Sequence, residues 1–349
     1  MKVLIDDKIP YIRQAAQLLF DQVAYLPGAQ FANSAELQDA DALIIRTRTQ
    51  CNRQLLQHTP VKFIATATIG FDHINTQDLQ SLGIQWTNCP GCNAASVAQY
   101  IRNSLIVITR RLGIQMQDLC VGIVGYGHVG RQVYHALQQA GCTLLVNDPP
   151  LQAQGTADIP LVSLDHIAAH CNVITFHTPL TTSGPHPTYH LADTTFFNTL
   201  QRKPIIINAA RGGVINEQAL LDANTQGQIS QMVIDTWEHE PAINTTLLSQ
   251  ALIATPHIAG YSADGKSNAT RMALRALATF FNINIGDEAQ FLQLTAPPSL
   301  PPTMQPTGNT HADHLQLYNP LDDTRRLKQA PATFEQQRGD YPLRRETYH

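Results

Sequence analysis

The sequence predicts an α/β protein built on a doubly wound parallel sheet, and three observations carry that expectation. Short apolar runs alternate with amphipathic, helix-length segments along most of the 349 residues, the alternation that builds parallel sheets with helices on both faces. One apolar run, VGIVG from Val121, turns through Gly125, Gly127 and Gly130 into the helical pattern VYHALQQAG. Polar residues then cluster just past the carboxyl ends of the predicted strands, where such sheets take their ligands.

The glycines are spaced for a dinucleotide. Gly125 permits a tight turn, Gly127 lets the backbone approach a pyrophosphate resting on the helix N-terminus, and Gly130 allows helix and strand to pack closely. The next strand, Thr143–Asn147, ends at Asp148. A carboxylate about 20 residues past the glycines would bond the ribose hydroxyls of NAD and repel the extra phosphate of NADP. Glycine-rich turns also arise for steric reasons alone. Here strand, helix, second strand and acid stand in order, and together they point to a Rossmann unit that binds NAD.

Residues 1–93 read as a smaller α/β unit without that fingerprint, with strands expected at 2–6, 42–46, 62–67 and 84–87 and helices at 11–20, 53–58 and 76–82. A helix over about 94–111, apolar on most sides, could pass between two domains. The nucleotide-binding unit is expected over 94–257, with later strands at 173–177, 205–209, 232–235 and 252–254 and a helix at 217–224. An amphipathic helix at 265–281 returns to the first domain within a segment 258–285. A proline-rich linker follows, and the last 35 residues carry too little apolar material for a core of their own, so they should pack on a partner surface or stay loose.

Composition excludes several classes. A net charge of −4 gives no general attraction to nucleic acid or anionic membrane, and no apolar run is long enough to span a bilayer. The start, MKVLIDDKIPY, reads as a strand, not a signal peptide. Six scattered cysteines suit reduced thiols and a cytoplasmic location. Cys89-Pro-Gly-Cys92 lacks both a second C-x-x-C for zinc and a thioredoxin-like setting, so no metal is expected and the pair reads as a tight turn.

Three strand-end residues would suffice for hydride transfer next to a carboxylate. Arg211 offers a planar fork that matches a carboxylate. His257 can take the hydroxyl proton, and Glu240 can fix the imidazole tautomer and favour its protonated form. Each has a bland alternative, such as a surface ion pair or one of 14 histidines, and His239 is the obvious decoy. In the segment Arg46-Thr-Arg-Thr49, strand-like spacing would point both guanidiniums one way, as an anion cradle for a phosphate, against the alternative of solvated surface charge.

The segments IDDKIPY, KFIATATIGFDHIN, PGCNAASVAQY, GIVGYGHVG, HTPL, NAARGGVINEQAL, DTWEHEP and TPHIAGYS resemble the D-2-hydroxyacid dehydrogenase family, densely over residues 1–283. The resemblance implies a Rossmann domain flanked by a split, flavodoxin-like substrate domain, and a homodimer joined through a C-terminal segment, here short, at 286–349. It implies catalytic roles for Arg211, Glu240 and His257. NAD contacts are implied at His128, Val129, Asp148, Thr178, Ala209, Asp235 and Gly260, with Ala210 beside them. Substrate positions are implied at Thr47, Thr68 and Tyr261, with Arg46 added by the cradle. The expected substrate is a small phosphorylated 2-hydroxy acid. The rivals are an unphosphorylated acid, another phosphorylated member of the class, or a non-catalytic NAD-sensing protein on the same fold.

Overall fold

Two parallel sheets form, each apolar on both faces. Strand side chains alternate with a period of two, so a strand covered on both sides reads as an unbroken apolar run. The computed structural model describes residues 1–348. Its first unit comprises residues 1–93 and 262–300, and its second comprises 94–261 and the tail from Pro301.

The first unit carries β1 (Lys2–Asp6), β2 (Gln22–Leu26), β3 (Ala42–Ile45), β4 (Phe63–Thr66) and β5 (Gln85–Thr87), all parallel, in the order β2-β1-β3-β4-β5. Val3, Ile5, Ala42, Ile44, Phe63 and Ala65 face one core; Leu4, Leu43, Ile45 and Ile64 face the other. The returning helix Ala263–Phe280 buries Ala269, Ala273, Leu274 and Leu277 in the first of these cores. It begins where the Ser262 hydroxyl accepts from Gly265 N at 2.8 Å, an N-cap that sets the return at 262. β2 was not among the expected strands. It lies at the sheet edge with no fully buried residue, so it lacks the apolar run by which the others are read. β3 stops at Ile45, and a turn follows in which Thr49 N donates to Arg46 O. The strand-like spacing expected through Arg48 therefore does not form.

The second unit carries β6 (Cys120–Val124), β7 (Thr143–Asn147), β8 (Val173–Phe176), β9 (Ile205–Asn208), β10 (Gln231–Ile234) and β11 (Ile253–Ala254), in the order β11-β10-β9-β8-β6-β7. Order reverses between β6 and β8, the switch point where doubly wound sheets bind ligands. Val121, Ile123, Val173, Ile205, Ile207 and Val233 face one core; Val124, Ile174, Phe176, Ile206, Met232 and Ile234 face the other. The helix Ala94–Leu112 belongs to this unit, with Tyr100, Ile101, Leu105, Ile106 and Ile108 in its core. No helix among the described residues is long and apolar enough to cross a membrane.

The tail covers its own second unit. Asn103 donates to the carbonyls of His314 and Tyr318, Thr324 Oγ1 accepts from Ala254 N, and Leu327 and Phe334 are 0% and 1% exposed in the core. Few apolar side chains suffice because hydrogen bonds to backbone groups of the unit supply the rest of the attachment. The segment expected to be loose or held by a partner thus has its anchor within the chain.

Candidate active site

The glycine turn is forced by contacts within the chain at two of its three positions. Gly125 has φ +97°, in the left-handed region, and a Cβ there would lie 2.8 Å from the His177 backbone. A Cβ on Gly130 would lie 2.0 Å from Gly125 O. A Cβ on Gly127 would meet nothing within 4 Å. Gly127 therefore fronts open space at the N-terminus of the helix His128–Gln139, whose first turn has no side-chain cap. Uncapped N–H groups and the helix dipole suit an anion such as a pyrophosphate, so these residues fit a dinucleotide. Asp148 is half-buried; its Oδ2 accepts from Tyr126 N at 2.7 Å and its Oδ1 from Leu151 N at 2.9 Å. It ties the turn to the end of β7.

Further strand ends line up on the same sheet. Past β8, Thr178 Oγ1 and His177 Nδ1 are buried without hydrogen-bond partners among the described residues, and burial pushes the His177 imidazole down to about 3. Past β9, Ala209 is half-buried and Ala210 is buried, and Asn208 braces the bend by donating to Arg211 O and accepting from Ala210 N. Arg211 is exposed, with Nη1 donating to Ala210 O at 2.8 Å. A Cβ on Gly212 would lie 1.9 Å from Trp237 O, so this loop lies directly against the loop that leads to Glu240.

Glu240 and His257 meet. His257 Nδ1 lies 2.8 Å from Glu240 Oε2, with side chains 26% and 17% exposed. Trp237 N donates to Glu240 Oε1 at 3.0 Å, so one carboxylate oxygen is fixed by backbone and the other holds the ring. Burial pushes the Glu240 carboxyl up, but the His257 hydrogen bond and charge, the Trp237 N–H and the Arg338 guanidinium outweigh it, and the net shift is down. A carboxylate on Nδ1 keeps the proton there in the neutral ring and leaves Nε2 to exchange one with a substrate. His257 itself has φ +56°. Its turn is pinned by Asp235, which accepts from Thr255 Oγ1, Ile258 N and Ala259 N at 2.6, 2.8 and 3.0 Å. Asp235 is 1% exposed, and burial raises its pKa against those bonds. The decoy His239 is 80% exposed, with Glu238 at 4.0 Å as its ion-pair partner among the described residues.

Other features had no sequence signal. His190 Nε2 lies 2.6 Å from Glu238 Oε1, a second histidine–carboxylate pair formed by residues 48 apart. Arg344, 8% exposed, donates to the carbonyls of Ile258, Ala259 and Tyr261 and stacks on Tyr318. It thereby clamps the turn that carries Gly260 and Tyr261. Arg338 reaches Glu240 from the same tail.

The substrate-domain candidates lie at strand ends of the first unit. Arg46 donates through Nε and Nη2 to Asp6 Oδ1 at 3.2 Å, with Arg46 31% and Asp6 0% exposed. Thr47 and Arg48 are exposed. Thr68 Oγ1 bonds Gly70 O and the Thr66 hydroxyl. Cys89 and Cys92 are not disulfide-linked. The Cys89 thiol donates to the Thr66 and Ala269 carbonyls, and burial pushes it up to about 12, a packed and unreactive thiol.

With this geometry in place, comparisons with known proteins fix the class. Residues 93–259 match the D-isomer specific 2-hydroxyacid dehydrogenase, NAD binding domain. Among solved structures, the D-lactate dehydrogenase of Aquifex aeolicus complexed with NAD and lactic acid superposes with a TM-score of 0.60 at 20% identity, covering 82% of this chain and 100% of that one. A glyoxylate reductase from Paecilomyes thermophila gives 0.64 at 22%, covering 80% and 94%; at such identities the likeness is one of fold. The chain belongs to the D-isomer specific 2-hydroxyacid dehydrogenases. Within that family, the erythronate-4-phosphate dehydrogenase of Bacteroides thetaiotaomicron is 51% identical over 346 residues, 99% of this chain and 97% of that protein. The protein of the same name from Escherichia coli O127:H6 is 38% identical over 345 residues, 99% and 87% of the two.

Proposed function

We propose that this protein oxidises 4-phospho-D-erythronate at its 2-hydroxyl to 2-oxo-3-hydroxy-4-phosphobutanoate with NAD, in the cytoplasm, as a step of vitamin B6 synthesis. The observation that carries the chemistry is the His257–Glu240 pair, 2.8 Å apart on the sheet that bears the glycine turn. The substrate follows from relatives of one name at 38–51% identity over 99% of the chain.

Gly125, Gly127, Gly130, His128, Val129, Asp148, Thr178, Ala209, Ala210, Asp235 and Gly260 are the proposed NAD site. When bound, NAD supplies the acceptor for the hydride that leaves C2. Arg211 binds the carboxylate and orients the neighbouring carbon. His257 Nε2 takes the proton of the 2-hydroxyl as the C–H electron pair departs, and Glu240 stabilises the imidazolium that results. The proton then passes to solvent, so each turnover yields the 2-oxo acid, NADH and one proton. Tyr261, Thr47, Thr68 and Arg46 are the proposed substrate contacts. A homodimer is the assembly that the tail's family likeness supports, and six cysteines without a disulfide suit a reducing compartment.

The ion pair between Arg46 and Asp6 favours one rival, an acid without phosphate, because the Asp6 carboxylate already offsets the Arg46 charge. Catalytic efficiency on 4-phosphoerythronate, erythronate, 3-phosphoglycerate and D-lactate separates the readings. The phosphorylated erythronate should lead in kcat as well as KM, since remote binding energy orients the reacting carbon. Leadership by D-lactate would favour the rival, and NAD binding without turnover of any acid would favour a sensor.

A further inference from the structure

Arg338 stands on the short helix Phe334–Gly339 of the C-terminal tail. Its Nη1 lies 3.9 Å from Glu240 Oε2, the same oxygen that meets His257 Nδ1 at 2.8 Å. The Tyr261 side chain also acts electrostatically on the guanidinium, and Nη1 lies 3.5 Å from Glu335 Oε1. One basic side chain of the tail thus reaches the carboxylate that holds His257. Several bonds fix it there. Phe334 is buried, Gln337 Nε2 donates to Ala330 O and Thr333 Oγ1, and Arg344 fastens the tail to the 258–261 turn. Arg338 is therefore placed by the same segment that holds the His257 turn in shape.

We propose that Arg338 is a positioning residue for the reaction: it keeps Glu240 an anion aimed at His257 and, by like charge, opposes protonation of the ring, so that the tail is a working part of the active site. The proposal rests on the reading of His257 as the proton-transfer group. A carboxylate on the ring favours the imidazolium and a cation beside that carboxylate opposes it, so the two charges together set how readily His257 can take a proton in the oxidative direction. The other charged or titratable groups on elements packed around the pair include Asp235, which pins the turn of His257, Glu335, which partly offsets Arg338, Tyr261, and the His190–Glu238 pair. Two further cations lie on neighbouring elements: Arg344, bonded to the carbonyls of the 258–261 turn, and Arg211, on the loop packed against the one leading to Glu240. Arg338 is the cation that pairs with the Glu240 carboxylate itself.

Arg338→Met keeps the length of the stem and removes the charge. In the full-length protein its acid limb of kcat/KM for oxidation should move to higher pH by roughly half to one unit, the size of a unit charge acting across a few ångströms of half-buried protein. Arg338→Lys should restore most of the limb. Arg326→Gln, a change to another tail arginine, 57% exposed and paired with Asp323, should leave the limb in place. The imidazole signal of His257, identified by its loss in His257→Gln, should titrate at higher pH in Arg338→Met by the same margin, with no substrate present. An unmoved imidazole titration overturns the proposal whatever the substrate. So does a shift that Arg338→Lys fails to reverse, because lost packing would then be the cause. A moved titration with an unmoved rate limb shows that His257 is not the acid–base group, which fails the reading beneath the proposal and removes Arg338 from the chemistry with it.

Discussion

The carboxyl ends of the two sheets offer different things to a ligand. In the first unit, β1 ends at Asp6 and β3 gives way to Arg46 one residue past its end, and the two neutralise each other across 3.2 Å, with the carboxylate wholly buried. In the second unit, β6 runs into a glycine turn over an uncapped helix N-terminus, and the ends of β10 and β11 hold Glu240 and His257 in contact. Both sheets are parallel and apolar on both faces, so topology alone does not make a site. The difference lies in whether polar groups at the strand ends are satisfied by one another or left with a function toward a ligand. Arg46 has its partner within the fold; His257 Nε2 and the first-turn N–H groups are open to one from outside.

The largest expected effect tests the second sheet. His257→Ala should lower turnover about 100- to 10,000-fold, the usual contribution of a general acid–base group, with NAD binding, read by fluorescence titration, retained. His239→Ala should be nearly silent, given its 80% exposure. A crippled His239 variant with a mild His257 variant would move the chemistry off the pair and erase the contrast between the sheets.

Much of this contrast was legible in the residues. The glycine turn, Asp148 and the run of strand-end polar residues are local patterns, and local patterns survive in a sequence. The pairing of Glu240 with His257 was readable because both end strands of one sheet. Arg338 was not, since its meaning depends on a 98-residue separation from Glu240 and on a tail whose attachment runs through backbone carbonyls, which leave no mark in side-chain pattern. The partnership of Arg46 with Asp6 was hidden for a similar reason: adjacency of β1 and β3 is a property of sheet order, and the edge strand β2 stands between them in sequence.

A smaller effect sharpens the reading of the first sheet. Arg46→Met strands the buried Asp6 carboxylate, whose other donor among the described residues is Lys8 N. Breaking a buried pair costs about 3–5 kcal/mol. With Arg46 31% exposed, solvent screening brings the expectation down to roughly 1–3 kcal/mol. Denaturant unfolding should show that loss, and Asp6→Asn in the same chain should recover part of it, as coupled residues do in a double-mutant cycle. If Arg46→Met were neutral for stability yet collapsed the preference for a phosphorylated acid, the guanidinium would belong to the ligand, and the two sheets would be alike after all.

The smallest effect concerns Asp148, where binding and architecture are superimposed. Its carboxylate accepts from Tyr126 N and Leu151 N, so it caps the helix Pro149–Gln154 and ties down the glycine turn as well as presenting charge. Asp148→Ala removes everything at once; loss of the cap alone costs about 1 kcal/mol, and a loosened turn would weaken both cofactors together. Asp148→Asn is the cleaner probe, because the amide oxygen can still cap while the charge is gone. The ratio of kcat/KM for NAD over NADP should fall by roughly tenfold, the equivalent of about 1.4 kcal/mol of charge repulsion no longer felt by a 2′-phosphate, with the unfolding midpoint nearly unchanged. Should the ratio hold in Asp148→Asn and fall only in Asp148→Ala, discrimination comes from the shape of the turn, not from its charge. The polar groups at this strand end would then be as internally committed as Asp6 and Arg46 are in the other sheet.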